Sequence, residues 1–133
     1  MQIRAPISVG ELIDKITILQ IKFERLDGPG VGNVAKELAV LNQAKDDAHL
    51  DETEIAPLLV QLKTVNLELW DIEDQIRQLE ACRDFGPRFI ETARSVYRLN
   101  DCRAAIKRLI NVVSKSEIIE EKNYRTANSV EVV

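Results

Sequence analysis

The chain has 133 residues, enough for one domain with its own core and too short for two. Hydrophobic residues make up 45% and aromatics only 5%, a Leu, Ile, Val and Ala mix that favours helices over a sandwich of short strands. A net charge of −4 and a pI near 5.1 argue against a general nucleic-acid or anionic-membrane surface, since such surfaces need a basic excess.

The opening "MQIRAPISVG" has no signal-peptide core, and no run approaches the roughly 20 apolar residues of a membrane span. A cytoplasmic protein with no membrane partner is the expectation. Residues 1–7 read as an extended arm, because Pro6 disfavours helix at Ala5. "SVGE" then reads as a capping box, Ser8 accepting from the Glu11 amide and Glu11 reaching back to that of Ser8. Val9, Leu12, Ile16, Leu19, Phe23 and Leu26 mark a helix over about 9–26. Ile13, Ile18 and Ile21 make it apolar on a second side, as expected of a central helix packed between neighbours.

"DGPGVGN" at 27–33 is a connector; its glycines fit neither dinucleotide nor Walker spacing, and no strand precedes them. Asn33 is expected to cap a second helix, about 34–48, with Val34, Leu38, Leu41 and Ala44 (or Ala48) inward. "KDDAHLDETE" reads as a polar connector in which His49, the only histidine, is solvated. From Ile55 to Leu79 apolar residues alternate by three and four for more than three heptads, predicting a long helix over about 53–82. Pro57 suits only a first turn, which puts the start between Thr53 and Ala56. Leu59, Leu67 and Trp70 form a second partial stripe.

"RDFGPR" makes a turn, and Pro87 opens a fourth helix over about 87–113. Its seam runs Phe89, Thr92, Val96, Leu99, Arg103, Ile106, Ile110 and Val113. Ser114 with Glu117 offers a second capping box for a short helix or turn to about Tyr124. Residues 1–124 are thus expected as one helical domain and 125–133 as a flexible tail. The fold class is all-α, an antiparallel helical bundle built on a long helical hairpin.

Folding back at the turn sets Cys102 about 13 residues beyond the level of Cys82, roughly 20 Å, so no disulfide is expected. The third helix is acidic and the fourth basic, and Glu73 and Asp74 are expected to approach Arg94 and Arg98 across the pair. Arg103 is different, because a guanidinium on an apolar seam costs several kcal/mol of desolvation unless it is answered. Asn100, Lys107 and Asn111 share its face.

Two readings stay open for that cluster. One is a buried network with Asp14, Glu11 or Glu68 that fixes helix register; the other is a site for a phosphate or carboxylate, which Asn and Arg bind through forked hydrogen bonds. The candidate residues are Asn100, Arg103, Lys107, Asn111, Tyr97 as a lid, Lys15 and Asp14. No Ser-His-acid, Cys-His or metal set appears, so no cofactor or metal is expected. The extra apolar stripes on the first and third helices suggest a non-enzymatic, self-associating interaction module, a coiled-coil homodimer; a small anionic ligand is the alternative.

"VGELIDKITILQIKFERL" and "ARSVYRLNDCRAAIKRLIN", with "EEKNY" shortly after, resemble a small bacterial family known as a domain of unknown function. Similar segments occur in some larger bacterial and viral proteins. The resemblance spans residues 3–124 and implies a short cytoplasmic protein, often encoded near envelope-polysaccharide genes, with no assigned activity. The family's recurring positions fall on Glu11, Asp14, Lys15, Tyr97, Asn100, Asp101, Arg103, Lys107, Arg108, Asn111, Glu120, Glu121, Lys122 and Tyr124. Cys102 stands where that pattern commonly has arginine.

Overall fold

The computed structural model describes residues 1–122. Four helices follow one another: α1 (Val9–Arg25), α2 (Gly30–Asp47), α3 (Glu52–Ala81) and α4 (Pro87–Val113). Among the described residues there is no strand. The expected bundle is what forms, with α3 and α4 as the long antiparallel hairpin and α1 packed on each of the other three helices.

Ile13 of α1 meets Ile55, Leu58 and Leu62 of α3 and Ile110 of α4 in one buried cluster of the core. The second apolar side of α1 is met within the chain by the hairpin, Ile13 in this core and Ile18 and Ile21 beside Asn66, Leu69 and Trp70 of α3, while α2 packs on α1 as well. α1 runs roughly parallel to α3 and antiparallel to α4: its start lies against Lys107 and Asn111, and its end, at Arg25, is bonded to Asp71. With 17 residues it is about 25 Å long, against about 45 Å for the 30 residues of α3. The tip of the hairpin therefore extends past the end of α1. α4 suffers most from this, with Ile110 and Asn111 its only buried residues.

Several boundaries differ from expectation. α2 begins at Gly30, so Asn33 lies inside it rather than capping it. Buried Val34 and half-buried Val31 dock on α1, and that burial outweighs the poor helix propensity of Gly30 and Gly32. Ala44 and Ala48 are exposed; the half-buried position at that end is held by Lys45, which bonds Glu52 at 2.9 Å. α3 starts at Glu52, ahead of the expected Thr53, because Asp51 caps it by accepting from the Thr53 amide at 3.0 Å. Pro57 is consequently its sixth residue, exposed on the outer side.

After Val113 the chain leaves the helix. Ser114 turns its hydroxyl back onto the Ile110 carbonyl at 2.6 Å, so the second capping box does not form, and residues 117–122 are non-helical. Tyr124 and the tail at 125–133 lie outside the described residues. Cys82 and Cys102 are free and exposed. No helix among the described residues is long and apolar enough to cross a membrane.

Candidate functional site

Where α1 crosses α3 and α4, polar groups from all three helices meet. Asp14, only 1% exposed, is the hub. Arg103 answers it with both arms of its fork, Nε donating to Oδ1 at 2.9 Å and Nη2 to Oδ2 at 2.5 Å. Asn66 Nδ2 donates to the same Oδ1 at 3.0 Å and to Thr17 Oγ1 at 2.9 Å, while the Thr17 hydroxyl donates to the Asp14 carbonyl at 2.8 Å. The hydrogen bond to Asp14 is the main cause that raises the Arg103 pKa above its ordinary value, against the opposing pull of burial.

One turn along α4, Lys107 Nζ donates to Glu11 Oε2 at 2.6 Å and lies 3.8 Å from Asp14 Oδ2. Glu11 is thus drawn to Lys107, so only half of the expected capping box survives: Ser8 Oγ accepts from the Glu11 amide at 3.0 Å. Other parts of the chain complete the cap. Asn111 Oδ1 accepts from the Gly10 amide at 2.6 Å, and Ser116 Oγ accepts from the Val9 amide at 3.2 Å. Glu120 closes the circuit, accepting from the Ser8 hydroxyl and from Asn111 Nδ2 at 3.0 Å. Burial pushes the Glu120 carboxyl up, but the bonds from Ser8, its own amide and Asn111, with the charge of Lys107, outweigh that and leave it below the usual range.

The cluster is therefore answered from inside the chain. Of the three acids proposed to face Arg103, Asp14 does so and Glu11 serves Lys107, while Glu68 is exposed on the far side of α3. Asn100 joins weakly, its Oδ1 3.5 Å from Arg103 Nη1. Tyr97 is 56% exposed and lies outside the network, and Lys15 is exposed and joins none of its bonds. The expected bridges from Glu73 and Asp74 to Arg94 and Arg98 do not form; both arginines turn to Glu91 on their own helix, at 3.9 and 2.9 Å. Helix spacing explains this, since Glu91 lies three residues from Arg94 and seven from Arg98.

An open groove of about 1340 Å³ runs along the outer flank of α4, lined by Tyr97, Asn100, Arg103, Lys107, Arg108 and Lys122, among others. Its cations are paired here too: Arg108 with Glu121 at 2.9 Å and Lys122 with Asp101 at 2.6 Å. Among the described residues no buried side-chain polar atom lacks a partner, and no group of three or more His, Cys, Asp or Glu could hold a metal. Sequence reasoning missed Thr17, Asn66, Gly10 and Ser116. Asn66 carried a signal, a polar residue between Leu62 and Leu69 on the side of α3 that faces α1. Ser116 carried none, because its role depends on where the chain goes after α4.

A protein-family model, described as a family of unknown function (DUF6165), matches residues 3–132. No curated protein and no solved structure matches the chain.

Proposed function

The chain belongs to the DUF6165 family of unknown function, and we propose that it acts as a non-enzymatic helical assembly module that associates with a second copy of itself. The observation that carries this reading is the closed network at the helix crossing. Asp14, Arg103, Lys107, Glu11, Asn111 and Glu120 satisfy one another, with no buried polar atom left over for a substrate among the described residues. Such a network sets the register of three helices rather than a reaction. The thin cover on α4 supports the second half of the reading. Phe89, Val96 and Leu99 are only half-buried, and a second molecule can take up that apolar surface.

Light scattering of the purified chain over a range of concentrations tests the reading. The expected mass is that of a dimer, and a mass of one chain at every concentration overturns it.

A second reading, a small phosphate or carboxylate in the α4 groove, rests on the groove itself and on its arginines and lysines. An incoming anion has to displace Glu11, Glu121 or Asp101 from those cations, which weakens this reading. Thermal-shift measurements with inorganic phosphate and with dicarboxylates decide it: stabilisation of the wild type that is lost in Arg108→Ala favours a bound anion. No shift at any concentration rules it out.

A further inference from the structure

A second opening lies where the hairpin faces the latter half of α1. It is a cleft of about 480 Å³, walled by Ile18 and Ile21 of α1 and by Leu69 and half-buried Trp70 of α3. Small-molecule sites run to about 300–1,000 Å³ and are mostly apolar with a few placed polar groups, and the cleft fits on both counts. Asn66, only 5% exposed, lines it. The orientation of that amide is forced. Its nitrogen donates to Asp14 Oδ1 and to Thr17 Oγ1, whose own proton goes to the Asp14 carbonyl, so an oxygen in its place would meet acceptors only. That leaves Asn66 Oδ1 to the cleft, where no protein group among the described residues donates to it. The network seals its buried atoms, but this oxygen reaches open space. Arg103 and Asn100 of α4 line the same cleft. The guanidinium and the Asn66 amide stand side by side, since both bond Asp14 Oδ1, at 2.9 and 3.0 Å. Arg103 commits Nε and Nη2 to Asp14, while its Nη1 has only a long contact of 3.5 Å with Asn100 Oδ1, and Asn100 Nδ2 donates to no protein group.

We propose that this cleft binds a neutral planar ring carrying an N–H beside a carbonyl, the lactam edge of a pyrimidine or purine base. The N–H donates to Asn66 Oδ1, the carbonyl accepts from Arg103 Nη1 and Asn100 Nδ2, and the ring lies against Trp70. An acceptor standing next to donors matches an edge of that kind. A carboxylate does not match it, because it has no proton to give Asn66. Charge argues the same way. Asp14 already neutralises Arg103, and Glu73 and Asp74 at the mouth form no salt bridge among the described residues and outnumber Arg77. A phosphate or carboxylate is repelled there, while a cation leaves Arg103 Nη1 without an acceptor. The proposal does not depend on self-association, since every group it uses belongs to one chain.

Trp70 is the chain's one tryptophan, so its fluorescence reports from the cleft itself. The full chain is titrated with uracil, hypoxanthine and uridine, and with 1,3-dimethyluracil, which keeps both carbonyls and has no N–H. Asn66→Leu also removes two bonds that hold the helices together, so the methylated ring carries the test of the acceptor without touching the fold. The expected result is saturable quenching by uracil, hypoxanthine or uridine, about tenfold weaker for 1,3-dimethyluracil, weakened about threefold to tenfold in Asn100→Ala, and unchanged in Arg108→Ala on the other groove. Tighter binding of uridine than of uracil assigns a nucleoside, and the reverse a free base; either supports the site. No saturable quenching by any of the three overturns the proposal, as does an affinity that neither methylation nor Asn100→Ala lowers. Binding lost in Arg108→Ala also overturns it, because the ligand then sits in the α4 groove.

Discussion

At Gly10 α1 approaches α4 so closely that a β-carbon would lie 2.5 Å from the Lys107 carbonyl oxygen and 2.9 Å from Asn111 Oδ1. The first of these is helix backbone and cannot swing aside. Gly10→Ala is therefore expected to cost about 1–3 kcal/mol, as overpacking does, although alanine is the better helix former. Urea unfolding of the two proteins measures it, and an unchanged midpoint would show that the helices can separate freely. Asp14 and Arg103 call for a different experiment. Removing either partner leaves a charge in the interior, about 3–5 kcal/mol for a buried pair and less here because Arg103 is 30% exposed. Asp14→Leu and Arg103→Leu are each expected to destabilise, whereas the double variant recovers much of the loss. A double variant as unstable as the two single losses summed would mean that the pair's partners, Asn66 and Lys107, carry the cost instead.

Among the elements, the segment after α4 does most with least regular structure. Ser116 reaches back to the first turn of α1 and with Asn111 supplies acceptors that a helix start lacks, while Glu120 holds Ser8 and Asn111 in place by accepting from both side chains. The Glu120 carboxyl has its pKa depressed in the fold, so the sign follows directly. Its contribution is complete above the ordinary carboxylate range and is lost as pH falls through the lower, folded value. Stability measured against pH is expected to fall on that acid side and to fall less in Glu120→Gln, which keeps a hydrogen-bonding group but has no charge to lose. Identical acid limbs for the two proteins would show that the segment does not hold α1 through this carboxylate. Neither capping partner was legible in the sequence. Capping boxes are read within four residues of chain, whereas these acceptors arrive from more than a hundred residues away.

For the whole molecule, the heptad pattern of α3 was enough to foresee a long hairpin, and the double-sided α1 was enough to make it central. The same double-sidedness is met inside the chain, because α2 packs on α1 as well as α3 and α4. α2 itself has a single buried residue, Val34, and its inward stripe was read one register wrong at the far end. Weak amphipathic helices allow that error, since alanines at 44 and 48 satisfy either face.

The sequence alone determined the helices and their antiparallel order, because apolar periodicity and Gly–Pro breaks are local and a helix answers to its own next few residues. It also marked Arg103 as a charge that had to be answered, because desolvation penalises any unpaired guanidinium on a seam. What answered it was decided by tertiary structure. Which of several acids reaches a given cation depends on the angle and offset at which two helices cross, and no one-dimensional spacing encodes these quantities. Only the packed chain put Asp14 under Arg103, turned Glu11 towards Lys107 and brought Glu120 back to the start of α1.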